Sequence, residues 1–463
     1  MSIRSINPTN GEVLKTFEPM TREEAMQAVS TAHDAFGSWR QTSFDYRKKM
    51  MLKLSARLRE YQTEYAKMIS LEMGKRLEEA MGEIEYCAHI AEFYANGAEE
   101  FLADQPMDVE DADAYIQHAP IGALLGVMPW NFPFYQVIRF ATPNIMAGNT
   151  CLIKHASCVP QCAKAIEKLF TQCGFPQGVF TNLFIPSEFV ATIIGDDKIA
   201  GVSLTGSEAA GASVAAEAGK NIKRSVLELG GNDAFIVLDD ADLDQVVKMA
   251  VKGRMVNNGQ SCVASKRFIV VEPLAESFLE GFKKQVESMT LGDPLDDSTD
   301  LGPLSTEGAA VRLAEQVQRS IDAGATVVTG GGRATEGALE KGAFYQPTIL
   351  TDVTPDMPTF DEELFGPVAT VYVVKDEAEA IELANHSSYG LGGSVFSADI
   401  ERARKVAEQI DTGMVFINRP TKSQAELPFG GTKNSGYGRE LSQLGILEFI
   451  NKKLIHLGKP SDS

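Results

Sequence analysis

Residues 119–153 run through 35 positions with a single charged side chain, Arg139. That length would suit a membrane-spanning helix. The composition would not. Pro120, Pro129, Pro133 and Pro143 interrupt the run, with Gly122, Gly126 and Asn131 between them. Proline removes a helical donor and clashes with the preceding turn. A stretch this apolar and this broken belongs in the core of a large globular fold. Arg139 is then a buried charge, and a buried charge demands an anionic partner.

The chain has 463 residues, enough for three domain-sized units or two larger ones. Such a length buries a core without disulfides or a structural metal. Strand-like and helical patterns alternate along it. Thr21 followed by Glu24 is a capping-box pattern and predicts a helix over 21–39. Helical periodicity recurs over 47–74. Strands are expected at 123–128, 150–154, 201–205 and 234–238, with helices at 160–173 and 207–218 between them. A second series follows: helix 242–255, strand 267–271, helix 275–289, strands 326–329, 368–374, 392–396 and 413–417, and helix 377–385. This alternation predicts an α/β fold of two doubly wound domains. Residues 1–107 and 120–231 form the first, and 232–430 the second.

Charge narrows the function. Lys plus Arg number 43 and Asp plus Glu 63, a net of −20. A nucleic-acid binder needs a basic footprint and a membrane-surface protein a basic face, so neither class is expected. The six cysteines are Cys87, Cys151, Cys158, Cys162, Cys173 and Cys262, with no C-x-x-C pair. A disulfide scaffold, a zinc ribbon and a metal site are therefore not expected. Residues 1–13 hold no apolar run of the signal-peptide kind, and the expected compartment is the reducing cytoplasm.

Several loops carry residues suited to chemistry. The chain has no G-x-G-x-x-G, Walker, H-E-x-x-H or G-x-S-x-G motif. In Asn257-Asn258-Gly259-Gln260-Ser261-Cys262, a small polar loop leads into a thiol. Cys262 is either a nucleophile on a loop or an inert buried cysteine. In Glu228-Leu229-Gly230-Gly231, an acid enters a double-glycine turn. Glu228 is either a general base or a turn-capping acid. Asn131, within Pro129-Trp130-Asn131-Phe132-Pro133, either donates to an oxyanion or satisfies its own turn.

Together these motifs resemble the aldehyde dehydrogenase superfamily. The resemblance spans nearly the whole chain. It rests on Pro129 to Pro133, Lys154 with Ser157, Thr205-Gly206-Ser207 followed by Gly211, Glu228 to Gly231, Gly259 to Cys262, Glu363-Leu364-Phe365-Gly366-Pro367, and Pro428 to Gly431, in matching order and separation. The resemblance implies that Cys262 is the nucleophile. Asn131 and the Cys262 N–H would then hold the thiohemiacetal oxyanion, and Glu228 would activate the hydrolytic water. Having both Glu228 and Asn131 argues for hydrolytic oxidation over coenzyme-A acylation.

The cofactor residues implied are Trp130, Lys154, Ser157, Thr205, Gly206, Ser207, Leu229, Glu363 and Phe365. Ser157 stands where many NAD-preferring members carry a glutamate. Removing that carboxylate removes its repulsion of a 2′-phosphate, so NADP is favoured and NAD use stays open. Arg139, six residues after Pro133, matches an arginine of succinate-semialdehyde dehydrogenases, and Ser423 matches a carboxylate-contacting position there. His155-Ala156-Ser157 is similar to a bacterial subgroup of them.

Both Arg139 and Ser423 are expected to hold a substrate carboxylate, with glutarate semialdehyde or a neutral aldehyde as the alternative substrate. A second arginine of some relatives is replaced by Val256, and Arg419 or Lys422 is the candidate substitute. Ala264, two residues after Cys262, rules out the redox disulfide of certain relatives. Residues 108–119 and 448–457 fit the family's oligomerisation flap, so a homodimer or homotetramer is expected. With a net charge of −20, anionic substrate and cofactor must be held by local cations.

Overall fold

The computed structural model describes residues 2–110 and 112–458. Met1, Asp111 and 459–463, the first two inside segments assigned above, lie outside the described residues. Within them, two open sheets carry the expected α/β alternation. The first has six strands in the order Gly436–Tyr437, Arg224–Glu228, Ile199–Thr205, Ala123–Met128, Thr150–His155, Phe180–Asn182. All neighbours pair in parallel except the Gly436–Tyr437 edge. Parallel strands need covering on both faces, and every residue of Thr150–His155 is buried.

The second sheet has seven strands: Thr326–Thr329, Thr348–Thr351, Val368–Val374, Arg267–Val271, Ala234–Val237, Gly393–Phe396, Phe416–Ile417. Only Thr326–Thr329 runs antiparallel. A third, antiparallel sheet joins Ile450–Gly458, Ala112–Pro120 and Gln105–Met107. Phe180–Asn182, Arg224–Glu228 and Thr348–Thr351 are strands that the sequence reading did not include, and two further strands depart from its domain bounds. Gln105–Met107 lies in this small sheet rather than in the first lobe. The chain after residue 430 returns to the first sheet through Gly436–Tyr437.

Helix signals translate into helices. The capping box forms, with Thr21 accepting from the Glu24 N–H and Glu24 from the Thr21 N–H. The 47–74 periodicity resolves into two helices, Phe44–Glu60 and Gln62–Met73, broken at Tyr61. In Glu272–Glu287 the expected face is buried through Phe278, Phe282 and Val286, while Met289 falls beyond the helix.

The proline-broken stretch resolves into a buried strand, a loop, a helix and a second strand. Every residue of the helix Tyr135–Ala147 is buried. Its start is capped from another helix: Glu83 Oε1 accepts from the N–H groups of Phe134 and Tyr135 at 2.9 and 3.0 Å. Glu83 is itself paired with Lys75, whose ammonium lies 3.7 Å from the Phe132 ring centroid. No helix among the described residues is long and apolar enough to cross a membrane.

Candidate active site

In the first sheet the chain winds outward from Ala123–Met128 in one direction. It then returns beside that strand as Ile199–Thr205 and winds the other way. Loops leaving the carboxyl ends of two such strands diverge and open a crevice. Pro129-Trp130-Asn131 forms one lip. Thr205, Gly206 and Ser207 form the other, and Ser207 caps the helix Glu208–Lys220 by accepting from the Ala210 N–H at 3.4 Å. The exposed first turn of that helix offers N–H groups to an anion. Leu229 is buried against Gly211.

At the far end of the crevice Lys154 is buried, and no carboxylate among the described residues pairs with it. Burial lowers its pKa. Ser157 is exposed in the turn after the strand Thr150–His155. A buried ammonium without an internal counter-ion, next to an exposed hydroxyl, fits a phosphate group. Glu363 and Phe365 sit at the opposite end, bordering a cleft of about 730 Å³. The Phe365 ring meets Trp130 edge-on, centroids 5.7 Å apart.

The thiol loop is built from strained backbone. The helix Leu243–Met255 ends, and Asn257, Asn258 and Gly259 all take positive φ, at 54°, 55° and 75°. Asparagine tolerates this region better than other side chains. Gly259 leaves no room for a side chain, since a Cβ would strike the Gly366 carbonyl. Side-chain bonds hold the strain in place. Asn257 Nδ2 donates to Asn131 O at 2.8 Å and Gln260 O at 2.9 Å. Asn258 Nδ2 donates to Gly74 O and Pro303 O, and Gln260 Oε1 accepts from Ser305 N. Fully buried Arg254 donates to the carbonyls of Gly259, Ser265, Leu364 and Gly366. It thereby clamps the thiol loop to the Glu363 loop.

Asn131 is brought to this loop directly. Its Nδ2 donates to Gln260 O at 3.2 Å. Glu228 ends its strand with both carboxylate oxygens buried and without a hydrogen-bond partner. Burial raises its pKa well above the carboxylate range; Arg139 opposes this and Glu440 reinforces it. Cys262 is the one half-buried thiol beside these groups. Burial pushes it up to about 12, with Lys266 and Arg139 pulling down and Glu363 and Glu228 pushing up. Burial thus favours the protonated form of both groups, and each gives up its proton as pH rises. This array can supply a thiol nucleophile, an amide donor and a desolvated base.

Arg139 is held from within the protein. The lone charge of the apolar stretch has an internal partner, Glu440, and only 1% of its side chain is exposed. Its Nη1 donates to Tyr135 OH at 3.1 Å and its Nη2 to Thr205 Oγ1 at 3.2 Å. The guanidinium also stacks on Phe429. Burial pulls its pKa down, but Glu440, Tyr135 and Glu228 outweigh burial and keep it charged. With its side chain buried, it presents no open bidentate face in this structure. Sequence reasoning missed Glu440 because the partner lies 301 positions away.

Ser423 does face this region, beside the hydroxyls of Tyr86 and Tyr135, whose rings lie 5.3 Å apart. The Tyr86 hydroxyl is buried and unpartnered. Arg419 is exposed on the loop after Phe416–Ile417 and makes no described contact with the cluster; Lys422 is exposed too. Tyr86, Tyr135, Arg254 and Lys266 were absent from the sequence reading. None sits in a motif, and only the fold shows that they converge.

A family model described as "Aldehyde dehydrogenase family" matches residues 1–455. The chain is similar to a succinate-semialdehyde dehydrogenase [NADP(+)] of Deinococcus radiodurans, 51% identical over 451 residues, covering 97% of this chain and 94% of that one. It is 46% identical over 455 residues to a probable succinate-semialdehyde dehydrogenase [NADP(+)] of Synechocystis, covering 98% and 99%. A crystal structure of succinic semialdehyde dehydrogenase from Streptococcus pyogenes, in complex with NADP+, superposes with a TM-score of 0.96. The two are 44% identical, over 99% of this chain and 100% of that one.

Proposed function

Because the chain belongs to the aldehyde dehydrogenase family, we propose that it oxidises succinic semialdehyde to succinate with NADP. The names of its Deinococcus and Synechocystis relatives support both substrate and cofactor. The observation that carries the chemistry is the meeting of Cys262, Asn131 and Glu228 around one loop.

The Cys262 thiolate attacks the aldehyde carbon, and a C–S bond forms as the carbonyl oxygen becomes an oxyanion. The Asn131 amide and the Cys262 N–H hold that charge. NADP, when bound, supplies the hydride acceptor. The resulting thioester is opened by water, whose proton passes to Glu228. The C–S bond breaks and succinate leaves. For the cofactor, Lys154 and Ser157 suit the 2′-phosphate end, Thr205, Gly206, Ser207 and Leu229 the middle, and Glu363, Phe365 and Trp130 the nicotinamide end. Ser157 carries no charge of its own to repel the phosphate.

The substrate carboxylate is received by hydroxyls. Tyr135 OH accepts from Arg139, which turns its own proton outward toward Ser423 and Tyr86. Arg139 thus supplies positive potential from behind Tyr135. The chain works as a homo-oligomer, through the exposed edge strand Ile450–Gly458 with Leu454 and Leu457 outward. The six free cysteines suit the cytoplasm. The test is a matrix: reduced-nicotinamide absorbance with NADP or NAD, against succinic semialdehyde, glutarate semialdehyde, propanal and benzaldehyde. Succinic semialdehyde with NADP should have the highest kcat/KM. A higher value for propanal would overturn the substrate, and for NAD the cofactor.

A further inference from the structure

Lys266 immediately precedes the strand Arg267–Val271, and 1% of its side chain is exposed. Its ammonium donates to Cys262 O at 2.7 Å and to Ser261 O at 3.2 Å. It also pairs with Glu363 Oε1 at 3.1 Å. The same Glu363 oxygen accepts from the Gly231 N–H at 3.0 Å. Gly231 in turn packs against Cys262 O, where a Cβ would come within 2.7 Å. A Cβ on Gly230 would collide with Glu363. Three separate loops thus meet around the Lys266–Glu363 pair: the loop after Glu228, the thiol loop and the Glu363 loop.

We propose that Lys266 is a positioning residue that couples the Cys262 loop to the cofactor-binding carboxylate of Glu363. The inference rests on the aldehyde dehydrogenase reading but not on the choice of aldehyde. An ammonium has donors and no acceptor; here two of its hydrogen bonds go to backbone carbonyls and its charge pairs with a carboxylate. Two fix the carbonyls on either side of the nucleophile's N–H. The ion pair fixes the carboxylate assigned to the nicotinamide ribose. Each partner is therefore placed relative to the other through a single atom.

A buried lysine–glutamate pair is often only structural. Two features separate this one. Its backbone acceptors belong to the nucleophile and its immediate neighbour, not to distant scaffold. Its charge also acts on the thiol: Lys266 draws the thiol toward ionisation, while Glu363 opposes it. The other charges facing Cys262 are Arg139 and Glu228. Asp233 and Arg254 face the Lys266–Glu363 pair.

The coupling makes opposite predictions for its two ends. Iodoacetamide alkylation of Cys262 in the cofactor-free protein reads thiolate population without aldehyde or turnover. At pH 8, Lys266→Met should slow alkylation about ten-fold and move its pH midpoint up. Glu363→Gln should speed alkylation about three-fold and move the midpoint down. Lys266→Met should also weaken NADP binding, followed by quenching of intrinsic fluorescence, because Glu363 loses its support.

Unchanged or faster alkylation in Lys266→Met overturns the proposal, as does slowing in both variants. A thermal melt checks folding. If Lys266→Met does not fold, Glu363→Gln decides alone: faster alkylation supports the coupling, and an unchanged or slower rate overturns it. A wrong aldehyde assignment would leave these rates untouched, so the two failures are distinguishable.

Discussion

On the side of the crevice proposed for the cofactor, Ser157 and Ser207 stand exposed and the Lys154 ammonium has no carboxylate partner among the described residues. On the thiol side, Asn257, Asn258, Gln260, Arg254 and Lys266 are all buried and bonded to backbone around Cys262. One side keeps its polar groups open for a large ligand. The other spends them internally to hold a strained loop still. The difference follows from what each side does. A cofactor must enter and leave, so its contacts face outward. An attacking sulfur must meet a carbon within a narrow geometry, so its support is fixed in advance.

The contrast breaks most sharply at the thiol. Cys262→Ala should lower NADPH formation by at least about 10⁴-fold. NADP binding should stay within about two-fold of wild type, since no open cofactor contact is lost. Steady-state rates and a fluorescence titration check both halves. Residual turnover near wild type would place the nucleophile elsewhere.

Asn131→Ala comes next. It should reduce kcat about 10²–10³-fold with little change in KM, the signature of an oxyanion donor. The pH profile sharpens the same point. Burial raises the pKa of both Cys262 and Glu228. The reactive forms are the deprotonated ones, so kcat/KM should climb steadily from about pH 6 to about pH 9. A profile already flat at pH 7 would mean that burial does not govern either group.

The two sides also differed in how far they could be read from sequence. Strand–helix alternation made the central strands of both open sheets legible, because short buried apolar runs alternate with 3.6-residue periodicity; Phe180–Asn182, Arg224–Glu228, Thr348–Thr351 and Gly436–Tyr437 were not read from sequence. The motif residues were legible because Pro129 to Pro133 and Gly259 to Cys262 are contiguous. What stayed hidden was support from a distance. Glu440 lies far from Arg139 in the chain, and Glu83 caps the helix at Phe134 and Tyr135 from another helix. Tyr86 enters the pocket region on the helix Leu77–Phe101 with no motif around it. A lone charge in an apolar run correctly signalled a buried partner. It could not say whether that partner was a ligand or the protein itself.

The open side predicts a change in preference more than a loss. Ser157→Glu places a carboxylate in the exposed turn beside Lys154. It should repel the 2′-phosphate and give Lys154 an internal counter-ion. The kcat/KM with NADP should fall about 30-fold, while that with NAD changes less than about three-fold. Equal losses with both cofactors would mean that Ser157 does not face the phosphate.

The smallest expected effects test how the substrate end belongs to the comparison. Ser423→Ala and Tyr135→Phe each remove one hydroxyl aimed at a carboxylate. A hydrogen bond to a charged group contributes about 1.5–3 kcal/mol. A partly solvated one should sit at the lower end, so KM for succinic semialdehyde should rise about ten-fold in each variant. Propanal has no carboxylate, and its KM should not move. Tyr135→Phe carries a second consequence that Ser423→Ala does not, because Tyr135 OH accepts from Arg139. Losing that acceptor leaves a buried guanidinium donor unpaired, so only this variant should also lower the melting temperature. Equal melting temperatures would mean that Glu440 and Thr205 alone satisfy Arg139. Equal KM changes for propanal and succinic semialdehyde would mean that the hydroxyls shape the pocket without reading the carboxylate.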